Sequence, residues 1–118
     1  MSEVFPRLRA ILLPYAEGMV AVCDDEGMYC LDTHHVMKNG KRMFFGSARV
    51  SKSYTSFHLM LAYVNPALLE GMSEALGKRM QGKSCFNFKK PDTELFAELR
   101  DLTALGYEDY RVKGYLGV

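Results

Sequence analysis

The stretch YTSFHLMLAY (54–63) decides the fold. In an extended chain Thr55, Phe57, Leu59, Leu61 and Tyr63 fall on one side and Tyr54, Ser56, His58 and Met60 on the other. Large apolar side chains dominate the first set. The alternation therefore predicts a half-buried β-strand, with the first set toward a core and the second turned outward.

Across Ser51-Lys52-Ser53, the segment RMFFGSARV (42–50) reads as the partner strand of a hairpin. Phe44, Gly46, Ala48 and Val50 share the core parity, and Phe45, Ser47 and Arg49 the opposite face. Upstream, MVAVCD and MYCLDT flank the acid-Gly turn Asp25-Glu26-Gly27, which predicts another hairpin. Residues 33–41 read as a loop, turned by Lys38-Asn39-Gly40-Lys41, where Asn and Gly tolerate positive φ. Downstream, SCFNF (84–88) reads as a short strand with Phe86 and Phe88 on one face and Cys85 and Asn87 on the other.

Helices bracket these strands. Val4, Phe5, Leu8, Ile11, Leu12 and Tyr15 form one apolar stripe behind a capping Ser2, and Pro14 should end or kink that helix. Asn65-Pro66 opens a helical turn, and Ser73 caps a short helix, EALGKRM. Asp92 caps a last helix carrying Leu95, Phe96, Leu99 and Leu102, which Gly106 closes. The tyrosine-rich tail, YEDYRVKGYLGV, could dock on the domain or on a second subunit, so a homodimer stays open. The order predicts one α+β domain over 1–118. It is a two-layer sandwich, an antiparallel sheet of about five strands with the terminal helices packed on one face.

Composition bounds the function. At 118 residues, 48% hydrophobic and 25% charged, the chain is ordinary for a globular domain. No run approaches the ~20 apolar residues of a membrane helix. MSEVFPRLR lacks the basic and apolar regions of a signal peptide, so a cytoplasmic protein with no membrane partner is expected. Three cysteines without CxxC spacing argue for reduced thiols. Net charge is +1, but unevenly spread. Residues 1–33 hold two basic and six acidic side chains, 34–90 ten and two, and 91–118 three and six. The basic middle could face an anion or pair with the acidic flanks.

MKNGKRMFFG (37–46), KSYTSFHLMLAYVNPALLEG (52–71) and KRMQGKSCFNFKKPD (78–92) together resemble the YdhG-like family of uncharacterised bacterial domains. The resemblance spans about two thirds of the chain and leaves out 1–33 and 107–118. It implies a sheet-plus-helices domain similar in outline to frataxin, and for some members an iron-chaperone role. Iron handling of that kind would use an acidic surface, here Asp24, Asp25 and Glu26, or Asp92, Glu94, Glu98 and Asp101. The basic centre departs from that pattern.

The outward sheet face supplies the candidate ligand site: Phe45, Ser47, Arg49, Tyr54, Ser56 and His58, joined by Cys85 and Asn87 if their strand enters the same sheet. Rings give contact area, polar groups give orientation, and Arg49 could clamp a carboxylate or phosphate. The alternative is an ordinary solvated face. Other chemistries have weaker signatures. Cys85 beside His58 could form a nucleophile pair, but no family-type motif surrounds it. Asp32, His34 and His35 lack the four spaced ligands of a metal centre, so neither metal nor cofactor is expected. Gly82-Lys83-Ser84 lacks the upstream glycine of a phosphate loop. Lys38, Lys41, Arg42, Lys78, Arg79, Lys83, Lys89 and Lys90 interleave with phenylalanines, yet a pI of about 7.7 does not give a nucleic-acid footprint. The reading is a non-enzymatic binding or interaction module for a small anionic ligand, with an iron or metal chaperone as the alternative and an enzyme third.

Overall fold

Phe57 and Leu59 are fully buried, as the alternation at 54–63 requires, and their strand lies in the middle of the sheet. The computed structural model describes residues 3–60, 65–82 and 84–116. Ser2, Leu61, Tyr63 and Lys83 lie outside the described residues. The chain runs α1 (Val4–Leu12), a 3-10 turn (Leu13–Gly18), β1 (Val20–Asp24), β2 (Met28–Val36), β3 (Arg42–Val50) and β4 (Thr55–Leu59). A 3-10 turn (Pro66–Leu69), α2 (Glu74–Gly77), β5 (Met80–Gln81), β6 (Cys85–Phe88) and α3 (Thr93–Lys113) follow. All strand pairs are antiparallel, in the order β1-β2-β3-β4-β6-β5. This is the expected α+β architecture, with six strands among the described residues instead of about five. No helix among the described residues is long and apolar enough to cross a membrane.

The helices cover one sheet face. Val4, Leu8, Ile11 and Leu12 of α1 and Leu95, Phe96, Leu99 and Leu102 of α3 bury their stripes against Tyr29, Leu31, Ala48, Phe57, Leu59, Phe86 and Phe88. Phe88 meets Phe96 edge-on at 5.0 Å, and the Arg9 guanidinium lies 4.7 Å from the Tyr29 ring. Gly46 sits tightly under α1, since an added Cβ would stand 3.0 Å from Leu12 Cδ2.

Turn chemistry behaves as read. Gly27 N–H donates to Asp25 Oδ1 at 2.9 Å, and Lys41 N–H to Asn39 Oδ1 at 2.9 Å beside Gly40 at φ 84°. Ser73 and Asp92 cap their helices through Leu76 N–H and Leu95 N–H, both at 3.1 Å. Asn65, expected as a cap, makes no such bond; its amide donates to Asp109 Oδ1.

Three boundaries and one register differ from the expectation. Strand β2 runs on to Val36, because Thr33 is buried and donates to the Met43 carbonyl of β3 at 3.0 Å. The helix beginning at Glu74 stops at Gly77, a poor helix former, and Met80–Gln81 becomes the sixth strand. Helix α3 passes through a buried Gly106 and ends at Lys113, closed by Gly114 at φ 81°. Packing outweighs the roughly 1 kcal/mol cost of that internal glycine. Tyr110 is fully buried, its ring 5.6 Å from Phe45 and its hydroxyl donating to the Phe44 carbonyl at 2.8 Å. Residues 107–116 therefore dock on their own domain.

The fourth difference moves a candidate site residue. Leu31 pairs with Gly46, but Asp32 pairs with Phe44, so Phe45 is an extra residue on β3. The resulting β-bulge turns Phe45 onto the same side as Gly46. Phe45 is 2% exposed and packs against Tyr15, Tyr107 and Tyr110. It belongs to the core, and Phe44 takes the outward position opposite Asp32.

Candidate functional site

Register lines the outward side chains into rows across the strands. One row runs Cys23, Cys30, Ser47, His58, Cys85, Gln81. The next runs Met28, Arg49, Ser56, Asn87. Arg79 extends it, since its carbonyl accepts from Asn87 N–H at 2.9 Å, just before β5. Tyr54 and Lys89 stand one step beyond Thr55 and Phe88, which pair with each other. The structure thus brings Ser47, Arg49, Tyr54, Ser56, His58, Cys85 and Asn87 onto one face.

Within the second row the contacts are specific. Ser56 Oγ donates to Asn87 Oδ1 at 2.8 Å, and Cys85 Sγ donates to the same oxygen at 3.3 Å. The Asn87 carbonyl is thereby occupied, which aims its amide N–H2 elsewhere as a double donor. Arg49 and Arg79 are both exposed and flank this pair on either side. Three strand spacings separate them, about 14 Å between backbones. Two extended arginine side chains can close much of that gap over Ser56 and Asn87.

A cleft of about 270 Å³ opens at the Arg79 end, lined by Tyr54, Lys78, Arg79, Met80, Gln81, Asn87 and Lys89. Among the described residues three cations line it and no carboxylate does. Among the described residues the ion pairs are Arg9–Asp24, Arg111–Glu108 and Lys113–Asp109, so Arg49, Lys78, Arg79 and Lys89 are in none of them. Two neighbouring clefts also include Arg79, but Asp92 lines both and Glu74 one. There the protein's own acids offset the positive charge.

The electrostatics of the first row run against a nucleophile. His58 and Cys85 are direct cross-strand partners. Burial, then the Arg49 charge, push the His58 pKa below its usual value. Burial pushes the Cys85 thiol up, partly offset by the Ser56 hydroxyl. Each shift favours the neutral species, the opposite of a thiolate–imidazolium pair.

The metal candidates are dispersed. Asp32 has its carboxyl pKa raised by burial, opposed by Arg42. His34 is exposed, and His35 lies against Tyr115 at 5.1 Å. Among the described residues no group of three or more His, Cys, Asp or Glu side chains could hold a metal ion. Several acids proposed for iron have structural work. Asp24 pairs with Arg9 at 3.0 Å, Asp25 holds a turn, Asp92 caps α3, and Glu98 accepts from Ser73 N–H and Oγ.

No protein-family model, curated protein or solved structure matches the chain. Nothing in these comparisons identifies a YdhG-like or frataxin-like family. Sequence reasoning had not placed Arg79 and Lys89 with Tyr54 and Asn87. The missing signal was β5, whose two residues sit behind a helix-like segment.

Proposed function

We propose that the chain is a non-enzymatic binding module of the YdhG-like type whose ligand is a small carboxylate or phosphate anion, held on the outer sheet face between Arg49 and Arg79. The observation that carries this reading is the Tyr54–Asn87 cleft, with three cations and no acid among the described residues of its lining. Arginine presents a planar fork that bonds carboxylate or phosphate oxygens in pairs, and such charge-assisted bonds are roughly twice as strong as neutral ones. Asn87 supplies amide donors, Lys89 further charge and Tyr54 an aromatic wall. His58 adds a proton link, because an anion beside Arg49 offsets the charge that lowers its pKa.

Differential scanning fluorimetry with inorganic phosphate, citrate and acetate tests the reading. Arg49→Gln and Arg79→Gln are each expected to weaken binding about tenfold, as the loss of one charge-assisted hydrogen bond implies. The absence of any anion-dependent stabilisation, or stabilisation unchanged in the double variant, would remove the proposal.

A further inference from the structure

Cys23 and Cys30 face each other across the β1–β2 hairpin, at the far end of the row that carries His58. Directly opposite residues of an antiparallel pair have Cα atoms about 4.5–5.5 Å apart, inside the range of about 4.4–6.8 Å that a disulfide spans. A register shift between Ala21 and Cys23 marks a β-bulge immediately before the pair. Bulges interrupt the ladder and leave the strand room to adjust. The two thiols differ in access, Cys23 being half-buried and Cys30 buried. Cys85, on β6, is three strands from Cys30, about 14 Å, and out of bonding range.

We propose that Cys23 and Cys30 form a cross-strand dithiol that a hydroperoxide converts to a disulfide. The Cys23 sulfur attacks the terminal oxygen of the peroxide and breaks its O–O bond, becoming a sulfenic acid; the departing alkoxide takes up the proton that the Cys23 thiol gives up and leaves as an alcohol, or as water from hydrogen peroxide. Cys30 sulfur then attacks Cys23 sulfur. Its proton leaves with the displaced hydroxide as water. Two thiols lose two electrons in total, and the peroxide gains them. Order follows from surroundings. Burial, then the neighbouring Cys23, push the Cys30 thiol up to about 11, so it stays protonated and sheltered until its neighbour is oxidised. The pair lies at the opposite end of the sheet from the anion cleft and does not depend on it.

The test treats the full chain with hydrogen peroxide, then alkylates remaining thiols under denaturing conditions and maps tryptic peptides by mass. Residues 10–38 contain both cysteines and no internal Lys or Arg before Lys38. That peptide should lose the mass of two hydrogens and escape alkylation, recover both thiols with a reductant, and leave Cys85 alkylated. The oxidised protein should melt higher than the reduced one, and Cys23→Ser should show neither change. Three results would overturn the proposal: an intermolecular disulfide through Cys85, a Cys23 sulfinate beside a still alkylatable Cys30, or three unreacted thiols.

Discussion

Gly46→Ala tests the link between the two sheet faces. A Cβ built at Gly46 would stand 3.0 Å from Leu12 Cδ2, 3.1 Å from the His58 carbonyl oxygen and 3.3 Å from Leu59 Cδ2. The two leucine methyls can give a few tenths of an ångström by rotamer adjustment. The His58 oxygen cannot, because it is backbone in a central strand paired on both sides. Overpacking of this kind costs about 1–3 kcal/mol. Loss of glycine's freedom in the unfolded chain offsets about 0.4–1 kcal/mol. The net destabilisation is then about 1–2 kcal/mol. An unfolding entropy of ~2.1 cal/mol/K per residue makes each kcal/mol worth roughly 4 °C in a chain of this length. Gly46→Ala should therefore melt about 4–8 °C lower by calorimetry. Gly18→Ala is the control, since nothing lies within 4 Å of its added Cβ. The backbone push at His58 should also shift that histidine's imidazole resonances, which face the other way. Equal melting of the Gly46 and Gly18 variants would refute the close approach of α1 and β4 around β3.

Three further outcomes follow from particular residues. Tyr110→Phe removes the hydroxyl that donates to the Phe44 carbonyl and should cost about 1–3 kcal/mol in denaturant titration, with an unchanged m value. The Cys30 thiol rises from 9.0 to about 11 on folding, so the folded state binds its proton more tightly. Its stabilisation is complete below pH ~9 and drains away as pH climbs through ~11; Cys30→Ala should flatten that part of the profile. His58 has the opposite sign, because its folded pKa is depressed. Its contribution is present above its ordinary value and is lost as pH falls through the folded one. NMR titration of Arg49→Gln should move the His58 midpoint upward, and an unmoved midpoint would break the Arg49–His58 coupling.

The strand pairing at the centre was legible because period-two alternation is local. Residues 46–50 and 55–59 pair rung for rung as their parities require, which put Arg49 beside Ser56 and Ser47 beside His58. Phe45 was not legible. Two adjacent phenylalanines satisfy either parity, and the choice is made by β2, through the pairing of Asp32 with Phe44. Arg79 was hidden for a related reason. Its neighbours read as a helix, and only the pairing of Met80 with Phe86 and Gln81 with Cys85 draws it to the sheet. Gly106 misled as a stop signal, because burial of Tyr110 in the core carries the helix beyond it. Local chemistry set the elements; long-range pairing set which residues share the site.

The composition of the outer face supports the proposed anion reading. A sheet face left to water is polar and alternates with the core face. Here the two central rows present cysteines, serines, a histidine, an asparagine, a glutamine, a methionine and two arginines. Ser47 and Ser56 are each 6% exposed, although the helices lie on the other face. Small side chains at the centre of the second row separate the cations Arg49 and Arg79. Holding those cations on one face costs the bare protein some self-repulsion, which an anion between them would relieve. That is why the anion test should show a gain in stability as well as a binding curve.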